Sequence, residues 1–263
     1  MYHELRKRGT SLRRMSGVAA VILAAFVCGV GVGQVRLVRE FVRKLELLVH
    51  PSDEPNYFLL KVQFFRELPG TTDVVMLGDS LTEQGPWAEL FPRIRIMNRG
   101  IFGDTTEGVL FRVDEVIERH PRLVFLMVGA NDLVYGVPVP TVATKIRSIV
   151  QALRRGGIEV ALQTPLLAAS AQEQAFNAQV RELNRSLSDL CSSIGIVCID
   201  LNKTLAADGA LSPRFTSDGF HLTAAGYVAW RDAIAPQISA MQESCATVTG
   251  LSEGRRPSDI RPR

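Results

Sequence analysis

The chain has 263 residues, of which 46% are hydrophobic, 22% charged and 7% aromatic, and this composition excludes a disordered chain, a collagen-like repeat and a disulfide-stapled miniprotein. The net charge of +3 is carried by the ends, because residues 45–254 hold only seventeen of the thirty basic residues but twenty-four of the twenty-seven acidic ones. A net-negative body argues against a nucleic-acid partner, which needs a cationic face on the folded domain.

Residues 1–14 form a basic head with Arg6, Lys7, Arg8, Arg13 and Arg14. Residues 15–33 follow without a charge. As a helix rising ~1.5 Å per residue, this run is just long enough to cross the ~30 Å hydrocarbon layer, and it is predicted to be a transmembrane signal-anchor. Arg36, Arg39, Arg43 and Lys44, offset by Glu40, lie beyond it. The closer, more positive head predicts a cytoplasmic N-terminus and a body in the periplasm or outside the cell. A cleaved signal peptide, releasing a secreted body, is the alternative; no Ala-x-Ala site follows the run. Residues 34–68 are predicted to form amphipathic juxtamembrane or stalk helices. Val35, Val38, Phe41, Val42, Leu45 and Leu48 recur there at helical spacing, a break falls at 50–55, and a short helix covers 57–68.

The body is expected at 69–242, followed by a flexible polar tail at 243–263. Within the body, short apolar runs at 73–77, 94–97, 123–128, 158–162 and 196–199 read as buried strands. Helical patterns at 106–119, 142–155, 172–191 and 223–241 separate and close them, with Gly156-Gly157 ending the second. Strands alternating with helices predict an α/β fold: a three-layer α/β/α sandwich around a five-stranded parallel sheet. Four cysteines are present and none forms a CxxC pair. Cys191 and Cys198 could either bridge a helix end to the next strand or stand as two buried thiols. No HExxH, Cys/His cluster or Walker loop occurs, so neither metal nor cofactor is expected.

Ligands collect at the carboxyl ends of such strands, so the residues that follow each run are informative. They are Gly78-Asp79-Ser80-Leu81-Thr82, then Asn98-Arg99-Gly100-Ile101-Phe102-Gly103-Asp104-Thr105-Thr106, then Gly129-Ala130-Asn131-Asp132, and near the end Asp218-Gly219-Phe220-His221. In order and at strand ends, these blocks resemble the SGNH (GDSL-type) hydrolase superfamily, whose fold is flavodoxin-like. The resemblance covers roughly residues 70–240.

It implies a metal-independent serine ester hydrolase with an acyl-enzyme intermediate. Ser80 would be the nucleophile and His221 the general base. Asp218 would orient the imidazole, and the oxyanion hole would be built from the Ser80 and Gly103 amides and the Asn131 side chain. The residues themselves agree. Of four histidines, His221 alone lies in a loop leading into the last helix, three residues after an aspartate that can reach back to it. Asp79 and Asp132 read as structural, bonding nearby loop amides. The Thr82–Trp87 stretch and the Asn98–Thr106 block look most like bacterial GDSL esterases. A small acyl group such as acetyl on a carbohydrate is the preferred substrate; a lysophospholipase- or thioesterase-like lipid hydrolase is the runner-up, and an idle membrane-anchored binding protein the alternative class. The loops at 133–141 and 163–171 are expected to border the acyl pocket, although Leu133, Val134 and Tyr135 could equally anchor into the core.

Overall fold

The computed structural model describes residues 55–253, apart from 69 and 170–172. The basic head, the apolar run at 15–33, the stalk to residue 54 and the end of the tail lie outside the described residues. Among the described residues no helix is long and apolar enough to cross a membrane.

Five strands form the sheet: β1 (Val74–Gly78), β2 (Ile96–Gly100), β3 (Leu123–Met127), β4 (Glu159–Gln163) and β5 (Val197–Ile199). They pair in parallel in the order β2-β1-β3-β4-β5. Val74 stands opposite both Ile96 and Leu123, Leu123 opposite Glu159, and Ala161 opposite Val197. Every residue of β1 and β3 is buried, as a sheet covered on both faces requires.

Side chains alternate between two cores. Val75, Leu77, Val124, Leu126, Val160 and Leu162 pack on one face with α4 (Thr106–Glu118), α6 (Val139–Arg155) and α7 (Gln174–Ile194). Val74, Met76, Leu123, Phe125 and Met127 pack on the other with α3 (Trp87–Leu90), α8 (Asn202–Leu205) and α9 (Ala224–Glu253). This is the three-layer sandwich that the alternating pattern predicts. The chain leaves β1 toward β2 on one side and resumes at β3 on the other, so the end of β1 is the point where strand order reverses and a ligand crevice opens.

Some boundaries differ from the sequence reading. β2 runs to Gly100 because its polar half is satisfied: Asn98 Nδ2 donates to the carbonyls of Thr82, Glu83 and Gly85, and the Arg99 guanidinium is paired with Glu115. α6 starts at Val139, with proline at its first turn where no N–H is needed. A short helix, α5 (Ala130–Val134), replaces the loop expected after β3. Leu133 is buried in the core while Tyr135 is exposed, so this stretch is anchored inward rather than open to a ligand along its length.

Residue 243, where the body is expected to end, lies within helical structure, while the helix at the other end stops at Glu67. The compact unit begins at Phe58, within α1 (Pro55–Glu67), because Val62 and Phe65 of that helix are buried and Arg119 donates to the Phe65 carbonyl. At the other end α9 continues to Glu253, running through Pro236 and Gly250. Cys191 and Cys198 are joined by a disulfide, with Cα atoms 5.9 Å apart, across the left-handed Gly195 turn between α7 and β5.

Candidate active site

Ser80 owes its position to the way β1 ends. A Cβ on Gly78 would lie 2.3 Å from both the Met127 carbonyl and Thr82 Oγ1, so only glycine lets the chain turn at once into α2 (Ser80–Glu83). Asp79 caps that helix, its carboxylate accepting from the Leu81 amide at 3.1 Å. From the layer below, Tyr227 donates to the Leu81 carbonyl at 2.8 Å and Trp87 Nε1 to the Thr82 carbonyl at 2.8 Å. The turn carrying Ser80 is therefore held on every side, and the serine itself is 8% exposed.

Ser80 Oγ lies 3.1 Å from His221 Nε2, although 141 positions separate the two residues. The opposite ring nitrogen, Nδ1, is 2.7 Å from Asp218 Oδ2. With an ionised carboxylate there, Nδ1 carries the proton and the Nε2 lone pair faces the serine hydroxyl. The other oxygen of Asp218 accepts the amides of Phe220 at 2.9 Å and His221 at 2.7 Å, so one carboxylate orders the loop and the ring together. Thr216 closes the loop, its hydroxyl donating to the His221 carbonyl and accepting from the Gly219 amide. Partial burial pushes the Asp218 carboxyl up, but its bonds with the His221 side chain and with the two amides outweigh that and hold it below its ordinary range. The Phe102 ring stacks on the imidazole, centroids 5.7 Å apart and planes at 21°.

Gly103 and Asn131 are linked to each other through Asp104, which follows Gly103 in the chain. Asn131 Nδ2 donates to the Asp104 carbonyl at 2.9 Å, which leaves the second amide hydrogen available to an incoming oxygen. Gly103 has φ +72°, and nothing lies within 4 Å of where its Cβ would be. The fold thus demands glycine there for its backbone angle, and the space in front of it is open to a substrate.

Behind these donors lies a buried charged network that the sequence reading missed. Arg112, 1% exposed, donates from Nε and Nη2 to Asp104 Oδ2 at 2.9 and 2.7 Å and from Nη2 to the Gly78 carbonyl at 3.1 Å. It ties the end of β1 to the loop that carries Gly103. Burial raises the Asp104 carboxyl, against the lowering effect of Arg112. Burial, with Asp104 and Asp132 nearby, also pushes Asp79 up to about 7. Asp132 accepts the amide and hydroxyl of Thr106 at 2.9 and 2.6 Å, and thus serves as a loop anchor. The signal for Arg112 was present in the sequence: it sits on the buried stripe of α4 with Val109, Val113 and Val116, where an unpaired charge would not be tolerated.

A cavity of about 450 Å³ at the ends of β4 and β5, lined among others by Thr164, Arg181, Asn184 and Lys203, contains none of these residues. Hydrogen-bonded convergence, rather than cavity size, identifies the site at the end of β1.

The sequence model of the GDSL-like lipase/acylhydrolase family matches residues 76–229, more than half of the chain. The chain belongs to this family. The N-acylneuraminate cytidylyltransferase of Streptococcus agalactiae serotype V is 30% identical over 121 residues, covering 46% of this chain but only 29% of that protein's length. The human platelet-activating factor acetylhydrolase IB subunit alpha2 is 28% identical over 165 residues, 59% of this chain and 71% of that one. Among solved structures, a GDSL-like lipase from Bacteroides thetaiotaomicron aligns with a TM-score of 0.61 at 22% identity, covering 71% of this chain and 98% of its own. A catalytic mutant of an acetylxylan esterase from Geobacillus stearothermophilus aligns at 0.57 and 18% identity, covering 65% and 95%. At those identities the two structures bear on the fold alone.

Proposed function

We propose that this GDSL acylhydrolase cleaves esters of small acyl groups, acetyl above all, through an acyl-enzyme on Ser80. The observation that carries the reading is the continuous chain from Ser80 Oγ to His221 Nε2 at 3.1 Å and from Nδ1 to Asp218 at 2.7 Å. In the first half-reaction Ser80 Oγ attacks the ester carbonyl while its proton passes to Nε2. Asp218 stabilises the imidazolium across Nδ1. The amides of Ser80 and Gly103 and the free hydrogen of Asn131 receive the developing oxyanion. Collapse breaks the C–O bond to the alcohol, which leaves with the proton from Nε2. Water then attacks the acyl-serine, giving a proton to His221 and releasing the acid and the free hydroxyl.

One observation supports acetyl as the acyl group: the platelet-activating factor acetylhydrolase subunit, 28% identical over 165 residues, refers to acetyl in its name. A panel of nitrophenyl esters from acetyl to long chains tests this. The expected kcat/KM falls steadily beyond butyryl and vanishes in Ser80→Ala at every length; a maximum at long chains would assign a lipid ester instead.

We also propose that residues 15–33 anchor the protein in a membrane, with the N-terminus cytoplasmic and the hydrolase body on the far side. The uncharged run with its basic head supports this, as does the disulfide between Cys191 and Cys198, which persists in oxidising compartments. Protease added to spheroplasts with an intact inner membrane should degrade the body; its full protection there would place the body in the cytoplasm.

A further inference from the structure

We propose that Glu83 is a positioning residue for this reaction, and that its partner Lys61 couples helix α1 to the catalytic geometry. The proposal rests on the hydrolase reading above. Glu83 is the last residue of α2, three positions after Ser80, and its backbone is fixed relative to the nucleophile. Its amide donates to the Asp79 carbonyl at 2.9 Å and its carbonyl accepts from Asn98 at 2.9 Å. Its side chain crosses to the opposite wall of the site, where Oε2 accepts the Phe102 amide at 2.6 Å.

Two catalytic elements meet at Phe102. The next peptide carries the Gly103 N–H, so anchoring the Phe102 amide restrains an oxyanion donor one residue away. The Phe102 ring is the surface on which the His221 imidazole stacks. One carboxylate thus sets, from the nucleophile's own helix, the place of a donor and the place of the base. A charged acceptor makes this bond stronger and shorter than a neutral one would, which suits a geometric role.

The remaining oxygen, Oε1, pairs with Lys61 Nζ at 2.7 Å, with side chains 16% and 26% exposed respectively. Lys61 belongs to α1, which lies outside the residues matched by the family model. A helix beyond the shared family region therefore reaches the site through this ion pair. Val62, Phe65 and the Arg119 bond to the Phe65 carbonyl hold α1 to the body independently, so removing the Lys61 charge leaves the helix docked.

The opposing view makes Glu83 and Lys61 a staple that adds stability only. The test uses the full chain with Glu83→Ala, Glu83→Gln, Lys61→Met and Lys61→Arg. Active sites are titrated with a fluorophosphonate, and kcat and KM are measured on nitrophenyl acetate. Melting temperature is followed in parallel. The His221 ring resonances are recorded by NMR in a Ser80→Ala background, where no turnover is involved. Glu83→Ala is expected to lower kcat at least ~10-fold with KM little changed, from the cost of a loosened reacting geometry. It should also shift the His221 resonances. Glu83→Gln and Lys61→Met should give smaller losses of the same kind, and Lys61→Arg should restore turnover. Lower melting with kcat per titrated site within about twofold of wild type and unmoved His221 resonances would overturn the proposal. Absent ester turnover in the wild type would refute the hydrolase reading instead, and the resonances would still decide whether Glu83 positions the ring.

Discussion

Replacing Arg112 with methionine probes the scaffold behind the active site, because it removes one partner of a buried ion pair and leaves the other. The Arg112 and Asp104 side chains are 1% and 2% exposed. The substitution deletes two hydrogen bonds to Asp104 and one to the Gly78 carbonyl. Methionine refills most of the volume, so the cost is electrostatic. Breaking such a pair typically costs about 3–5 kcal/mol, since the surviving charge is neither solvated nor paired. Asp104 can escape by taking up a proton, and its carboxyl already lies above the ordinary value because of burial. Without Arg112 it rises further. The sign then follows: a carboxyl whose folded pKa exceeds its unfolded one binds more protons in the native state. Stability is therefore fullest below the unfolded pKa and falls as pH rises toward the folded one, by up to about 1.4 kcal/mol per unit. Urea unfolding at pH 5 and pH 8 measures this. Arg112→Met should lose about 3–5 kcal/mol at pH 8 and clearly less at pH 5. Adding Asp104→Asn, which removes the stranded charge, should recover more than half of the loss. A cost under ~1 kcal/mol at pH 8, or no recovery in the double variant, would refute the reasoning.

Other outcomes follow from the same contacts. Asp79, raised to about 7 by burial, should make the native protein lose stability relative to Asp79→Asn as pH rises from 4 to 7, by at most about 4 kcal/mol, with the two converging below pH 4; parallel unfolding curves would contradict this. His221→Ala should lower kcat by at least ~10², measured on nitrophenyl acetate. Because Asp218 is held below its ordinary range, its ionisation should not contribute to the acid limb of the activity profile, and Asp218→Asn should lower turnover without removing that limb. Asn131→Ala should cost about 3–4 kcal/mol in the barrier, read from kcat, with KM nearly unchanged. Tyr227→Phe, which leaves the Leu81 carbonyl without its donor, should lower stability by about 1 kcal/mol in urea.

How much of this was legible in the sequence depended on how each residue signals. Val75, Leu77, Phe125 and Leu126 announce themselves as continuous apolar runs, so the parallel sheet and its two covering layers could be read directly. Ser80, Asp218 and His221 stand in short local motifs whose residue types are set by the chemistry, and they could be named without knowing the fold. The polar end of β2 was harder, because Asn98 and Arg99 are strand residues whose polar groups are satisfied by α2 and by Glu115, partners that only tertiary structure supplies. The links among Glu83, Phe102 and Lys61 join separate segments, and no spacing rule encodes them. Arg112 lay between these cases: its place on an apolar stripe marks it as paired, but the stripe does not reveal that its partner is Asp104.

The central claim is that Ser80 becomes covalently bound during turnover. Incubating the protein with a fluorophosphonate, digesting it and sequencing the modified peptide by mass spectrometry tests this directly. The account predicts one adduct, on Ser80, formed in step with the loss of esterase activity and absent from Ser80→Ala. Full inactivation with the adduct on another residue, or undiminished labelling of Ser80→Ala, would contradict it.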